Sequence, residues 1–126
     1  MDNALPPASL ILLNAATRGP SEVDHPPAER RIAGNPQRET VNRVDVPVAG
    51  RLYCGIWRSE PGHWRIEMGP AECELFTVLA GRCRVHSDDG SMQDAGPGDA
   101  IYVPAGFKGS FEVMEALTKT YAIVDR

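Results

Sequence analysis

Glu74-Leu-Phe-Thr-Val-Leu-Ala-Gly81 is one of two stretches that decide the fold, and the other is Gly98-Asp-Ala-Ile-Tyr-Val-Pro-Ala-Gly106. Both are short runs rich in apolar and β-branched residues that end in glycine, a pattern typical of strands closed by tight turns. We expect the chain to turn sharply at Gly81 and Gly106, since only glycine adopts a positive φ without strain. In the second stretch, Pro104 cannot donate to a ladder and should end its strand.

Outward from these stretches, the sequence beyond residue 40 predicts further short strands divided by turn residues. The predicted strands are Arg51–Arg58, His63–Met68, Glu74–Leu79, Arg82–Ser87, Ala100–Val103, Ser110–Met114 and Leu117–Val124. Strands of this length without helical periodicity between them indicate an all-β sandwich or barrel. Because side chains alternate along a strand, Lys119, Tyr121 and Ile123 should share one face of the last one.

The first 40 residues have a different composition, with six of the eleven prolines before residue 37. Proline fixes φ and removes a backbone donor, so this part of the chain cannot form central strands. We interpret residues 1–40 as an extended arm and residues 41–126 as the barrel domain. Leu10–Leu13 is the candidate strand of the arm, expected to pair with a sheet edge of its own chain or of a partner. Disorder of the arm is the alternative.

Composition and charge exclude several function classes. Thirteen basic and 17 acidic residues give a net charge of −4, without the positive footprint of a nucleic-acid binder. No apolar run approaches the roughly 20 residues that span a bilayer, and no basic residue precedes Leu10–Leu13 as in a signal peptide. Three cysteines without a C-x-x-C pair indicate reduced thiols. We therefore expect a cytoplasmic protein without nucleic-acid or membrane partners.

The two quoted stretches, in this order and 16 residues apart, resemble the two motifs of the cupin superfamily. The surrounding series is similar to short cupins related to (S)-ureidoglycine aminohydrolase, and it includes Gly55-Ile56-Trp57, Pro61-Gly62, Cys73-Glu74, Gly81-Arg82, Gly106-Phe107-Lys108 and Lys119-Thr120-Tyr121. The resemblance covers residues 34–126. It implies a single-domain cupin, a jelly-roll barrel, preceded here by the extended arm.

The same resemblance bears on metal binding. Cupins typically bind a divalent metal through His-x-His, a glutamate and a further histidine, which would fall here at Glu67, Gly69, Glu74 and Gly109. The histidines of this chain, His25, His63 and His86, lie elsewhere, and we interpret His63 and His86 as surface or edge residues. Two carboxylates are a poor match for a site that needs three or four ligands. The sequence therefore predicts no tightly bound metal and no cofactor.

Glu74 is the first candidate ligand-binding residue, because the cupin register turns its side chain inward. A buried carboxylate needs a partner, and Arg65 and Lys119 are the nearest plausible cations. Lys119 and Tyr121 share a strand face, so together they could hold a small carboxylate or carbonyl ligand. A structural ion pair is the alternative for Glu74, and a surface position is the alternative for Lys119.

Trp57 and Phe111 complete the candidate site as pocket walls, while most other aromatic residues should pack in the core or in an interface. Arg65 and Glu67 share a strand face and are also candidates. If that face points outward, both are merely solvated.

Two functions from different classes follow. In the first, the protein binds a small polar molecule in the barrel without an intact three-histidine metal site. In the alternative, it is an enzyme that acts on a small nitrogenous or carbonyl compound, as ureidoglycine aminohydrolase does. The sequence assigns no catalytic residue. Exposed apolar sheet faces and the Leu10–Leu13 arm also predict a homodimer.

Overall fold

The computed structural model describes residues 8–126 of the chain, nearly all of whose regular structure is strand. The strands are β1 (Glu22–Asp24), β2 (Arg31–Ala33), β3 (Arg38–Val46), β4 (Arg51–Ser59), β5 (Gly62–Glu67), β6 (Glu72–Ser87), β7 (Met92–Ala95), β8 (Ala100–Val103) and β9 (Lys108–Asp125). A single-turn 3-10 helix, Ala28–Arg30, lies between β1 and β2. Within residues 8–126, no helix is long and apolar enough to cross a membrane.

The strands form one antiparallel sheet that curls into a jelly-roll barrel. Its central strand is β9, which pairs with three other strands. The first half of β9 pairs with β5 and the end of β6, and its second half pairs with β4 and the start of β6. β7 and β8 extend the sheet beyond β6, while β3 extends it beyond β4. The predicted all-β barrel is confirmed.

Two pairs of predicted strands are single long strands in the structure. Gly81 lies inside β6, where the register with β9 shifts on both sides of it, so the expected sharp turn is instead a bulge. Its φ is +84°, and a Cβ there would lie 2.1 Å from the carbonyl oxygen of Ala116. Glycine is therefore needed for the close approach of the two strands. Gly106 (φ +75°) does lie in a turn, just after β8.

The N-terminal arm contacts the barrel at positions that the sequence did not suggest. Leu10–Leu13 forms no strand, and Leu10 is fully exposed, so the expected pairing of this segment with an edge of its own chain was wrong. The arm instead pairs through β1 with β3 and through β2 with β5. β3 also runs across the predicted boundary between residues 40 and 41.

The hydrophobic core fills part of the barrel interior. Phe76, Val78, Val113 and Leu117 are almost completely buried there, because alternate residues of β6 and β9 point inward. The inward faces continue into partly exposed residues such as Trp57, which packs against the core cluster. The interior is therefore not filled throughout, and this leaves room for a cavity.

Candidate functional site

The inner faces of the strands enclose a cavity of about 670 Å³, within the size range of small-molecule sites. Three aromatic residues form one wall, contributed by β4, β5 and β9. The ring centroids of Trp57 and Phe111 are 5.8 Å apart, and those of Trp64 and Phe111 are 5.5 Å apart. Residues just before β1 close part of the rim through Pro20 and Ser21. The arm therefore contributes to the cavity.

A buried ion pair lies in the cavity wall. Nζ of Lys119 donates to Oε2 of Glu74 at 2.9 Å, and the two side chains are only 7% and 15% exposed. The ammonium also lies 4.1 Å from the ring centroid of Phe76, 4.8 Å from Trp57 and 4.9 Å from Phe111. Aromatic faces attract a cation, so the carboxylate and the rings together compensate for its removal from water.

Glu74 keeps one oxygen available to a ligand. Its Oε1 makes no hydrogen bond within residues 8–126, whereas Oε2 is taken by Lys119. No buried side-chain oxygen in that part of the chain lacks a partner, so Oε1 must reach solvent. Because Glu74 lines the cavity, this acceptor is exposed at the cavity surface.

Tyr121 and Asn42 form a second polar group in the lining. The Tyr121 hydroxyl donates to Oδ1 of Asn42 at 2.6 Å. Burial raises the pKa of Tyr121 to about 12, so the phenol stays protonated. A Cβ on Gly55, the cross-strand partner of Tyr121, would lie 2.7 Å from the phenol oxygen, so glycine makes space for it. The amide nitrogen of Asn42 donates no hydrogen bond within residues 8–126, which leaves a donor available.

The lining does not fit the metal that many cupins hold. In the described part of the chain, its possible metal ligands are the carboxylates of Glu22, Asp45 and Glu74, with no histidine or cysteine among them. Asp45 pairs with Arg51, and Glu74 pairs with Lys119. Zinc, copper, nickel and iron favour imidazole or thiolate ligands, and a lysine ammonium beside Glu74 repels any cation, including the manganese that carboxylates suit. No step of a mechanism is therefore assigned to a metal in the barrel.

Five predicted site residues line one cavity, namely Glu74, Lys119, Tyr121, Trp57 and Phe111. Of the two cations considered for Glu74, the structure selects Lys119. Arg65 and Glu67 lie outside the cavity, and Arg65 pairs with Asp88 at 2.6 Å. Alternation along β5 explains this correction, because Trp64 and Ile66 face inward and their neighbours must face outward.

Several lining residues were not predicted from the sequence. Trp64 and Ile66 could have been found, because they are the apolar residues of an alternating segment, and such residues mark the buried face of a strand. Asn42 gave no comparable signal, since β3 (Arg-Glu-Thr-Val-Asn-Arg-Val-Asp-Val) carries four charged residues and was not predicted. Pro20 and Ser21 join the rim only because β1 pairs with β3.

The sequence model of the EutQ-like cupin domain matches residues 48–121. The chain belongs to the EutQ-like cupin family. This confirms the predicted cupin fold, and the matched region runs from just before β4 into β9. No curated protein matches the sequence.

Solved structures share the fold of this EutQ-like cupin. A DUF861-family protein of unknown function from Pseudomonas syringae is 23% identical, with a TM-score of 0.76 over 89% of this chain and 46% of its own. The chain thus spans less than half the length of that protein. A EutQ protein from Clostridium difficile is 21% identical, with a TM-score of 0.61 over 71% of this chain and 68% of its own. A putative ethanolamine utilization protein Q from Salmonella typhimurium is 17% identical, with a TM-score of 0.60 over 69% and 68%.

Identities this low show the fold alone. The finer resemblance to ureidoglycine aminohydrolase gains no support from these comparisons.

Proposed function

We propose that this EutQ-like cupin binds a small, uncharged polar molecule in its barrel cavity. The observation that carries the proposal is the Lys119–Glu74 pair, which lies in the wall of a cavity of about 670 Å³. The pair offers the cavity one oxygen acceptor beside an aromatic surface. Pockets that combine an apolar wall with a few polar groups are the usual sites of small-molecule binding.

The charges of the lining disfavour an anionic ligand. The lining contains two cations, Arg38 and Lys119. Arg38 pairs with Asp24 at 2.8 Å, and Lys119 pairs with Glu74 at 2.9 Å. An anionic ligand would therefore have to displace a carboxylate from one of these pairs. Of the two ligand classes expected from the sequence, this disfavours a small carboxylate and favours an uncharged carbonyl compound.

The hydrogen-bonding groups narrow the class further. Glu74 presents a carboxylate oxygen as an acceptor. Asn42 presents its side-chain NH₂ group as a donor, because its carbonyl oxygen already accepts from the Tyr121 hydroxyl. A primary amide carries both complementary groups, since its N–H donates and its carbonyl accepts. An aromatic or planar amide would also stack on Trp57 and Phe111. We therefore expect amide-like ligands to bind better than acids of the same shape.

Benzamide and benzoate provide a matched pair of probes, since they share one shape and differ in charge. The chain has two tryptophans, Trp57 and Trp64, and both line the cavity. Their two indole N–H signals in ¹H–¹⁵N correlation spectra therefore report directly on the cavity. Millimolar benzamide should shift both signals and benzoate should shift them less.

In the variant Glu74→Gln, the carbonyl oxygen would stay with Lys119 and the NH₂ group would face the cavity in place of the acceptor, so benzamide binding should weaken. The barrel should stay folded, because the amide oxygen still accepts from Lys119 and three aromatic rings still face the ammonium. Lys108→Ala, an exposed change outside the lining, is the matched control and should bind like the wild type. Equal shifts with both probes, or unchanged binding by Glu74→Gln, would contradict the proposal.

Catalysis on a nitrogenous or carbonyl compound is the second candidate, favoured by the exposed Glu74 oxygen, which could act as a general base. The same spectra test it. Hydrolysis would consume water and convert benzamide into benzoate and ammonium, and both products are visible by NMR. Binding without any such conversion would favour a binding protein over an amidohydrolase.

A further inference from the structure

The outer face of the barrel carries a polar cluster that is separate from the cavity. It lies where β5, β9 and β6 run side by side, and it consists of His63, Glu112 and His86. One possible ligand atom from each residue lies within 4.8 Å of the others. All three side chains are half-buried, so they are held in place and remain accessible to an ion.

The sheet itself brings these residues together. His63 is the cross-strand partner of Glu112, and His86 is the partner of Ser110, two residues before Glu112. Side chains at such opposite and diagonal positions of an antiparallel sheet come within contact distance. The rings of His63 and His86 lie 5.0 Å apart across β9. The cluster therefore rests on three hydrogen-bonded strands rather than on a mobile loop.

The local contacts resemble those of a metal site. Nε2 of His86 lies at hydrogen-bond distance, 2.9 Å, from Oε1 of Glu112, so a shift of about 0.5 Å would give the roughly 3.4 Å that separates two ligands of a tetrahedral zinc ion. The hydroxyl of Ser110, which is 6% exposed, lies 2.7 Å from Nε2 of His63, which fixes that ring and leaves Nδ1 as the nitrogen available to a metal. Such an outer partner is typical of metal-binding histidines.

The charges around the cluster are also suited to a cation, since Glu112 contributes a carboxylate. Two arginines flank the cluster, but Arg65 pairs with Asp88 and Arg84 pairs with Asp94. Their charges are thus largely compensated.

We propose that His63, His86 and Glu112 bind one zinc ion on the outer face of the barrel. Two histidines and one carboxylate are a ligand set that zinc uses in proteins, with a fourth position left for water or another ligand. Sequence comparison with the usual cupin metal ligands could not find this site, because those ligands project into the barrel. The inference is independent of what the cavity binds.

Zinc titration of the chelator-treated protein, followed by calorimetry, tests the site. We expect one zinc per chain. His63→Ala and His86→Ala should each weaken binding by more than about tenfold, since even outer partners of ligands are worth that much. His25→Ala is the matched control, because His25 is exposed and belongs to no such cluster within residues 8–126, and it should bind zinc like the wild type.

A second measurement needs no variant. The chain has three histidines, so their ring C–H signals are easily separated by NMR. Paramagnetic Co²⁺ should shift or broaden the signals of His63 and His86 while those of His25 persist. Unchanged zinc affinity in the His63 and His86 variants would overturn the proposal. So would half a zinc per chain with dimerisation, which would place the ion between two copies.

Discussion

Replacement of Lys119 by methionine tests whether the ion pair in the cavity wall stabilises the fold. Methionine keeps the length of the side chain and its contacts with the aromatic rings but leaves Glu74 without its cation. Loss of one partner from a buried pair costs about 3–5 kcal/mol, whereas an exposed pair is worth at most about 1 kcal/mol. The exposed fractions of 7% and 15% place this pair in the buried class.

The expected cost lies near the lower end of that range, because Oε1 of Glu74 already reaches solvent. We therefore expect the free energy of unfolding to fall by about 3 kcal/mol. At about 2 cal/mol/K of unfolding entropy per residue, this lowers the Tm of a chain of this size by about 10 °C. Urea unfolding followed by the fluorescence of Trp57 and Trp64 measures the free energy, and calorimetry measures the Tm.

The double variant Lys119→Met/Glu74→Gln distinguishes the lost charge from lost packing. Without a buried charge on either side, its stability should return to within about 1 kcal/mol of the wild type, because a neutral replacement of a buried pair is often tolerated. If Lys119→Met alone melts like the wild type, cavity water hydrates Glu74 fully. In that case the pair of Lys119 and Glu74 does not stabilise the fold.

The remaining predictions concern pH, a turn and assembly. Because the folded-state pKa of Tyr121 is raised to about 12, its contribution to stability is complete below the unfolded value near 10 and is lost as pH rises toward 12. Tyr121→Phe should therefore flatten the fall in stability over that window, as measured by urea midpoints at stepped pH. Gly106→Val should lower the free energy of unfolding by about 2 kcal/mol, because a β-branched residue is strained at positive φ. Lys108→Ala, the control, should stay within about 0.5 kcal/mol of the wild type. Equal Tm values for the two variants would refute this prediction. Leu75 and Tyr102 are cross-strand partners on the outer surface, 51% and 60% exposed, so Leu75→Glu should weaken the expected homodimer. A wild-type protein that is monomeric by light scattering at micromolar concentration would contradict that expectation.

Much of the cavity could be predicted because alternation along a strand is a local property. The pattern of β9 placed Lys119 and Tyr121 on one face, and both line the cavity. In β5 the same alternation places the apolar Trp64 and Ile66 on the inner face, whereas the candidate residues Arg65 and Glu67 lie on the outer face. A shift of one residue along a strand exchanges its two faces, so the choice of face decides the position of both charged residues at once.

Other features depend on pairing between distant strands, which no local pattern contains. Gly81 suggests a turn when its neighbours in sequence are considered alone, but its close contact with Ala116 makes it a bulge in a continuous strand. Asn42 belongs to the site only because β3 lies beside β4 and brings it to Tyr121. The cluster of His63, His86 and Glu112 likewise exists only across three strands.

The place of β9 in the chain affects how the protein folds during synthesis. The strand is translated after the other eight, yet it is the common partner of β4, β5 and β6. Until it leaves the ribosome, those strands have no shared partner and their apolar faces remain in water. Exposed apolar surface and unpaired strand edges of this kind make a nascent chain prone to aggregation. Closure of the barrel must therefore wait for release of β9 from the exit tunnel.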